Sequence, residues 1–515
     1  MNRERRTDFV YTIIWSVVLC VYGAMVLYIN FTHNPEFYCT DMYTDMNYAI
    51  AAWNQKSILP EGWVFGNQLY AVATPVLAAL FYGMTGNACV AMGMASSFMA
   101  LGVMLSFYWM LCPVLPKLHH RLAAMVAFMT LPLLAGDGAF YDNGWQLLFT
   151  MCSYYACYAI TMFLAFGCYL RKDQPWSVKR YVMLGLTCLM ALGTGFQSLR
   201  QTLIMVCPLA AALCVHGLEC LLGKKKPAPA SVIVAGGICL SNLLGVVLRK
   251  LITVNQVTTI GTLKRVSFGA MPGKIADSLS TALKLFGPQK LVAAGVLGLL
   301  LVGLVIRLWR KKTVEKDPAT LCGFLLLMSV VGVLAVDVAT LMAVRSIYYF
   351  PLYALVAIVP VYVYARFGRV VRIGVAGLLL LCAFSAFNGP LLYHLRIPRE
   401  SPGAEQVSDY LQQQGITTIY SGWNFGEEIA IASDFEITAG FWNDGAEPFC
   451  QMQLLCDPAV FDAAPSECAY LFRGKQAAVA ARDAAQALGT ELVLLKYFPE
   501  TNVYVFTAPV NLMYQ

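Results

Sequence analysis

The chain has 515 residues, of which 59% are hydrophobic and 13% are charged, and its mean hydropathy is +0.63. Repeated apolar runs of about 20 residues are typical of polytopic membrane proteins, which excludes a wholly soluble enzyme. The net charge of +7 does not indicate nucleic-acid binding. Most Lys and Arg residues lie in short segments between the apolar runs, where they determine membrane topology.

The apolar runs predict eleven membrane spans, of which the first is an uncleaved N-terminal helix. These spans cover residues 9–31, 88–112, 120–136, 145–170, 180–197, 200–221, 230–248, 291–307, 319–341, 347–365 and 371–388. A further run, 67–86, contains Pro75 and is predicted to lie at the membrane surface or to re-enter it. With that run excluded, the basic loops fall on one side. The N-terminus is therefore predicted to be cytoplasmic and the C-terminus extracytoplasmic, in the cell membrane.

Two long loops are predicted to be external, at 32–87 and 249–290. The second loop is basic and begins with Arg249 and Lys250, although external loops are usually poor in Lys and Arg. Two interpretations remain open. Long loops cross the membrane regardless of charge, and a basic external surface also attracts anions such as a phosphorylated lipid.

Carboxylates occur in two of the predicted external segments. Asp41 and Asp45 lie just after the first span, and Asp137 and Asp142 lie between the third and fourth spans. If the first segment is helical, the four-residue spacing places Asp41 and Asp45 on one helix face. Carboxylates are costly to desolvate at a membrane boundary, so they indicate proton transfer or cation binding, with a solvated acidic loop as the alternative.

Arginines and a further carboxylate are predicted at the same membrane face. Arg200 interrupts an apolar stretch, Asp337 ends the ninth span, and Arg345 precedes the aromatic segment ending at Pro351. Arginine forms bidentate contacts with phosphate, so this arrangement suits a reaction on a phosphate-linked lipid. Taken singly, Asp337 could pair with an arginine structurally, and both arginines could simply extend toward the interface.

With these features, the chain resembles the GT-C superfamily of integral-membrane glycosyltransferases, which includes protein O-mannosyltransferases and aminoarabinose transferases. The resemblance rests on the acidic first external loop, and on the aromatic stretch 63–70 that enters a juxtamembrane helix ending near Gly83. It also rests on the second acidic loop, which carries Asp137 and Asp142, and on the segment from Arg345 to Pro351, in which an arginine precedes aromatic residues and a proline. The family's acidic pair is often Asp-x-Asp or Asp-Glu, whereas here three residues separate the aspartates.

The resemblance implies a polytopic α-helical GT-C-like fold with a juxtamembrane helix, and a bacterial enzyme that uses a polyprenyl-phosphate sugar donor. It implies Asp41 or Asp45 as the catalytic base, with Asp137 and Asp142 assisting or holding a divalent cation. Arg345 and Arg200, together with Arg249 and Lys250, would hold the lipid phosphate. The acceptor would be a glycan, lipid or protein of the cell envelope.

Residues 1–389 are predicted to form the transmembrane domain, and residues 390–515 an extracytoplasmic α/β domain. The latter holds 15 acidic and 6 basic residues. Its patterns predict helices at 405–414 and 475–488, with strands at 416–420, 467–473, 491–497 and 502–506. Tyr420, Trp423 and Trp442 are interpreted as core aromatics or as sugar-stacking residues. Cys450 and Cys456 are candidates for a disulfide.

Two other functions remain open from the sequence. A lipid or polysaccharide transporter, or flippase, would also be polytopic, but the chain shows no internal repeat and its acids cluster at one face rather than mid-membrane. A non-catalytic GT-C-like envelope protein would lack converging carboxylates. The sequence predicts neither the sugar nor the acceptor.

Overall fold

The computed structural model is mostly helical, with one small sheet near the C-terminus. It describes residues 3–32, 39–134, 144–150, 154–222, 228–257, 265–309, 317–341, 344–367, 369–392, 402–423, 425–442 and 448–514.

Long apolar helices make up the first three quarters of the chain. Six helices of the described residues are long and apolar enough to cross a membrane, and five further apolar helices are shorter. The protein is therefore a multi-pass membrane protein. The helices are α1 Arg3–Thr32, α2 Thr40–Asn54, α3 Thr74–Thr85, α4 Ala88–Leu111, α5 Leu118–Leu134, α6 Gly144–Phe149, α7 Ala156–Tyr169, α8 Val178–Gln197, α9 Cys207–Leu222, α10 Pro229–Leu251, α11 Met271–Lys284, α12 Lys290–Trp309, α13 Pro318–Ala339, α14 Pro351–Arg366 and α15 Arg369–Ala386.

A helix lies over each of the eleven predicted spans, but two predictions need correction. The predicted span 145–170 is not one helix, since α6 and α7 are separate. The predicted surface helix 67–86 begins only at α3, because Pro75 suits the first turn of a helix, where its missing N–H costs nothing. Residues 67–73, just before α3, are not helical. A π-helical turn, Thr202–Val206, precedes α9, where Pro208 cannot donate a backbone hydrogen bond.

Close contact between α8 and α10 depends on glycine. A Cβ atom at Gly195 would collide with the backbone carbonyl of Asn242, and one at Gly245 would collide with the carbonyl of Leu192. Small residues of this kind let helix backbones approach closely where lipid offers no hydrophobic driving force. This contact places the ends of α8 and α10 beside each other, which matters for the candidate site.

The C-terminal part is an α/β unit with a five-stranded sheet in the order β2-β1-β3-β5-β4. Strand β1 is parallel to β2 and β3, whereas β5 is antiparallel to β3 and β4. The elements are α16 Pro402–Gln413, β1 Thr418–Gly422, α17 Glu427–Ala432, β2 Thr438–Trp442, β3 Cys468–Arg473, α18 Lys475–Ala487, β4 Val493–Phe498 and β5 Val503–Thr507.

The sequence predictions for this unit are confirmed for α16, α18 and four strands, while α17 and β2 were missed. Tyr420 and Trp442 are buried, and the Trp442 ring stacks on Phe472 with centroids 5.2 Å apart. These two aromatics are therefore core residues, and the sugar-stacking interpretation is wrong for them. Cys450 and Cys456 are free thiols.

Helix α2 connects this unit to the helical bundle. The buried Tyr43 hydroxyl accepts a hydrogen bond from the backbone N–H of Ala439 in β2, at 2.8 Å. The Tyr43 ring also stacks on Phe435, with centroids 5.6 Å apart and planes 3° from parallel. A second contact joins Asn87, before α4, to the carboxylate of Asp434 at 3.1 Å. The sheet is thus fastened to the helix that carries the predicted acidic pair.

Candidate active site

Asp41 and Asp45 lie on one face of α2, as the helical spacing predicts. Asp41 occupies the first turn, where the helix dipole favours a negative charge. Asp45 lies one turn further on and is fully buried, whereas Asp41 is half-buried. Two identical side chains therefore occupy different environments on the same helix face.

The Asp45 carboxyl group lies beside two tyrosines, Tyr70 and Tyr154. The Tyr70 hydroxyl donates a hydrogen bond to Oδ1 at 2.9 Å, and buried Oδ2 has no hydrogen-bond partner among the described residues. Burial raises the pKa of Asp45 well above its usual range, the Tyr70 hydrogen bond opposes that rise, and the charge of Asp41 adds to it. Asp45 is therefore biased toward its protonated form, whereas Asp41 occupies a less buried position on the same face.

Tyr70 belongs to an aromatic segment that is fixed from several sides. The Tyr48 ring of α2 packs against the Tyr70 ring, with centroids 4.7 Å apart. The backbone N–H of Leu69 donates to the Gln197 carbonyl at 3.1 Å. Arg249 donates to the carbonyl of that same Gln197 at 3.0 Å, and to the carbonyl of Asn67 at 3.4 Å. These contacts explain why the residues before α3 are irregular rather than helical.

Two consecutive tyrosines before α7 link the acidic pair to an arginine. The Tyr154 hydroxyl donates to the Asp41 backbone carbonyl at 3.3 Å. The Arg200 guanidinium lies over the Tyr155 ring, 5.4 Å from its centroid, and donates to the Tyr348 hydroxyl at 3.1 Å. The acidic pair and Arg200 therefore lie on two sides of one short segment.

Tyr348 contacts both arginines, since its hydroxyl accepts a hydrogen bond from Arg200 and its backbone N–H bonds to the Arg345 carbonyl. Arg345 is exposed and immediately precedes the 3-10 turn Ser346–Tyr349, in which the Tyr348 N–H donates to the Arg345 carbonyl at 3.0 Å. In the same turn, the Tyr349 hydroxyl donates to buried Asp337 at 2.9 Å. The structure thus brings the Arg200 guanidinium to the turn that Arg345 precedes.

The other residues predicted to hold the lipid phosphate or to assist catalysis do not all lie beside the acidic pair. Arg249 uses its guanidinium to hold backbone carbonyls and the Gln256 side chain, so its contacts are those of a scaffold residue. Lys250 is exposed at the end of α10. Asp137 and Asp142 lie outside the described residues, and their roles remain predictions.

A divalent cation also remains a prediction. Within the described ranges, no group of three or more His, Cys, Asp or Glu side chains is arranged to hold a metal ion. The Asp41–Asp45 face supplies two carboxyl groups.

Sequence reasoning missed several residues of this site. Tyr70 lies in the aromatic segment and Tyr348 in the arginine-aromatic segment, so both were inside recognised patterns without an assigned role. Gln197 lay in the same polar break as Arg200 without an assigned role, whereas Tyr154 and Tyr155 carried no local signal, because tyrosine is common near a membrane interface. Asp337 pairs with Lys274 of α11, whose Nζ lies 3.2 Å from Oδ1, and not with the arginine that was considered.

The fold is that of a polytopic α-helical membrane protein with a C-terminal α/β unit. It is similar to two crystal structures of ArnT from Cupriavidus metallidurans. The structure bound to undecaprenyl phosphate has a TM-score of 0.56 and 11% identity, over 96% of this chain and 98% of that one. The apo structure has a TM-score of 0.52 and 12% identity, over 99% of both chains. No family model and no curated protein sequence matches the chain.

Proposed function

We propose that this protein is a glycosyltransferase that moves a sugar from a polyprenyl-phosphate donor to a cell-envelope acceptor on the outer face of the membrane. The observation that carries the proposal is the pair of unequal carboxyl groups on α2, joined through Tyr154 and Tyr155 to Arg200. Pairs of titratable groups with contrasting environments are typical of acid–base catalysis. The ArnT structure bound to undecaprenyl phosphate supports the same class of donor.

In the proposed reaction, Asp41 accepts the proton of the acceptor hydroxyl as its oxygen attacks the anomeric carbon. The bond from that carbon to the phosphate oxygen breaks, and the polyprenyl phosphate leaves with the electron pair. Attack opposite the leaving group inverts the anomeric centre. Arg200 and Arg345 stabilise the charge that develops on the departing phosphate. Because the donor sugar is carried on a membrane lipid, the proposed reaction needs no soluble nucleotide-sugar donor.

Asp45 is proposed as a positioning residue. In its protonated form it adds no second negative charge beside Asp41, and its hydrogen bond to Tyr70 holds α2 against the aromatic segment. Arg249 is likewise proposed to act through that segment, whereas exposed Lys250 is proposed to attract the donor phosphate at longer range.

The test compares membranes that contain the wild-type protein, Asp41→Asn, or a control variant, Asp409→Asn, which changes an exposed aspartate of α16. We expect Asp41→Asn to lower transfer at least a hundredfold, because loss of a general base typically costs that much. The measurement is mass spectrometry of polyprenyl-linked sugars and surface glycans, with and without the protein.

Retained transfer by a folded Asp41→Asn protein would remove Asp41 from the catalytic role. Movement of a lipid-linked sugar across vesicles, with no new glycosidic product, would instead identify a transporter. We further propose that the protein is oriented in the membrane with its N-terminus in the cytoplasm and the unit at 390–515 outside.

A further inference from the structure

An apolar groove lies between α12, α13 and α14, at the end of the bundle away from the candidate site. It has a volume of about 250 Å³ and is lined by Leu300, Leu326, Leu355 and Ile358 among others. On α13 the lining extends from Ala319 to Leu326, and Leu326 lies 11 residues before Asp337, which is about 16 Å along the helix. The groove therefore lies toward the ends of α13 and α14 that are farther from Asp337 and from the turn that carries Arg345.

Small residues keep the groove open. Gly303, Ala319 and Gly323 line it. A Cβ atom at Gly303 would meet nothing within 4 Å, and one at Gly323 would meet only Leu300, at 3.6 Å. The Thr320 hydroxyl donates a hydrogen bond to the Asp317 carboxylate at 2.6 Å, so its proton is not directed into the groove. The interior is thus shaped for a hydrocarbon chain.

A cation lies at the polar end of the groove. Tyr362 lines the groove, and Arg366 follows one turn later, in the last turn of α14. The exposed Arg366 guanidinium is 5.0 Å from the centroid of the Tyr362 ring. Across the described residues, Arg366 forms no ion pair with a carboxylate. An apolar groove with an arginine at its interface end is complementary to a lipid with a negatively charged headgroup.

We propose that this groove binds one acyl chain of an anionic glycerophospholipid, with its phosphate against Arg366. The site is separate from the proposed donor site, because a polyprenyl phosphate that reacts near Asp41 has its own phosphate at the other membrane face. The lipid fills the space that the glycines leave between the three helices, and it ties α14 to α12.

The test uses native mass spectrometry of the protein released from nanodiscs made of equal parts phosphatidylglycerol and phosphatidylcholine. Wild-type protein is expected to retain one phosphatidylglycerol molecule in preference to phosphatidylcholine. Gly303→Leu fills the groove and is expected to lower retention of both lipids at least fivefold. Arg366→Gln is expected to keep the groove but to lower the preference for phosphatidylglycerol about fivefold, as expected for one basic side chain at a charged interface.

Two controls match these variants. Gly298→Leu adds the same side chain to α12 at another open position, and Arg6→Gln removes a charge from α1. Arg6 lies at the same membrane end, where Tyr11 contacts Tyr364 of α14 with ring centroids 5.9 Å apart. Both controls are expected to behave as wild type.

Equal retention by wild type and folded Gly303→Leu would overturn the proposal, as would a retained molecule that is a polyprenyl phosphate. If Gly303→Leu fails to fold, Arg366→Gln decides the matter, and an unchanged lipid preference in that variant overturns the proposal. None of these outcomes depends on transferase activity.

Discussion

Asp45 shows how one buried hydrogen bond and one neighbouring charge can make two identical side chains unequal. Its carboxyl group accepts a hydrogen bond from Tyr70, 25 residues later in the chain. The spacing of Asp41 and Asp45 predicts that they share a helix face. It does not predict which of them is buried, because burial depends on the aromatic segment that folds over α2.

The raised pKa of Asp45 predicts a specific dependence of stability on pH. In the unfolded chain this group ionises near pH 3.8, whereas in the folded protein it keeps its proton to a higher pH. The unfolded state therefore binds fewer protons in this range, and the free energy of unfolding falls as pH rises from about 4 toward the raised pKa. We expect a slope of up to about 1.4 kcal/mol per pH unit from this group.

The measurement is the thermal midpoint of wild type, Asp45→Asn and the exposed control Asp409→Asn in detergent, from about pH 4 to 8. Asp45→Asn cannot titrate, so its midpoint is expected to fall less steeply than those of the other two proteins. Parallel curves for all three proteins would show that Asp45 is not held in its protonated form.

At the level of helices and strands, apolar runs predict where the bundle helices lie, since a lipid-spanning segment must satisfy its own backbone hydrogen bonds. They do not predict breaks caused by tertiary contacts. The segment 67–73 is predicted to be part of a helix, but contacts with Gln197 and Arg249 hold it in an irregular conformation. In the C-terminal unit, α17 has only six residues, which is too short for a periodic signal.

Packing between α2 and α3 depends on Gly83. A Cβ atom there would collide with the ring of Trp53 in α2, which also lies against Lys56, with the ammonium 3.1 Å from the ring centroid. Gly83→Ala is expected to cost about 1–3 kcal/mol of stability and to lower transfer, because α2 must shift with its carboxyl groups. Unfolding in denaturant and a transfer assay measure the two effects.

Gly185→Ala is the control for that variant, since a Cβ atom at Gly185 in α8 meets nothing within 4 Å. A stable and fully active Gly83→Ala protein would show that the position of α2 does not depend on this contact.

The ion pair between Asp337 and Lys274 fastens the amphipathic helix α11 to α13. Lys274→Ala leaves a buried carboxyl group with only its Tyr349 hydrogen bond, and is expected to destabilise the protein by about 1–3 kcal/mol. That range lies below the cost of breaking a fully buried pair, because Lys274 is 29% exposed. Combining Lys274→Ala with Asp337→Asn is expected to recover part of the loss, and a double-mutant cycle measures the coupling. Additive losses would mean that the two side chains do not interact.

For the molecule as a whole, the distribution of basic loops predicts orientation, and the exposed free thiol of Cys450 offers a direct test. A membrane-impermeant maleimide is expected to label Cys450 in intact cells, and Cys450→Ser is expected to remove that label. Arg5→Cys adds a thiol at the predicted cytoplasmic end, which is expected to react only after permeabilisation. The reverse pattern would invert the topology and place the acidic pair on the cytoplasmic side.

The α/β unit and the bundle meet at α2, and this arrangement has a mechanical consequence. The helix is a rod of 15 residues, about 22 Å long, that carries Asp41 on one face and Tyr43 on another. Because Tyr43 is clamped to β2, any force on the sheet is delivered to Asp41 without an intervening hinge. A molecule that docks on the sheet would therefore act on the helix that positions the Asp41 carboxylate, and under the proposed reaction this would couple acceptor binding to alignment of the base.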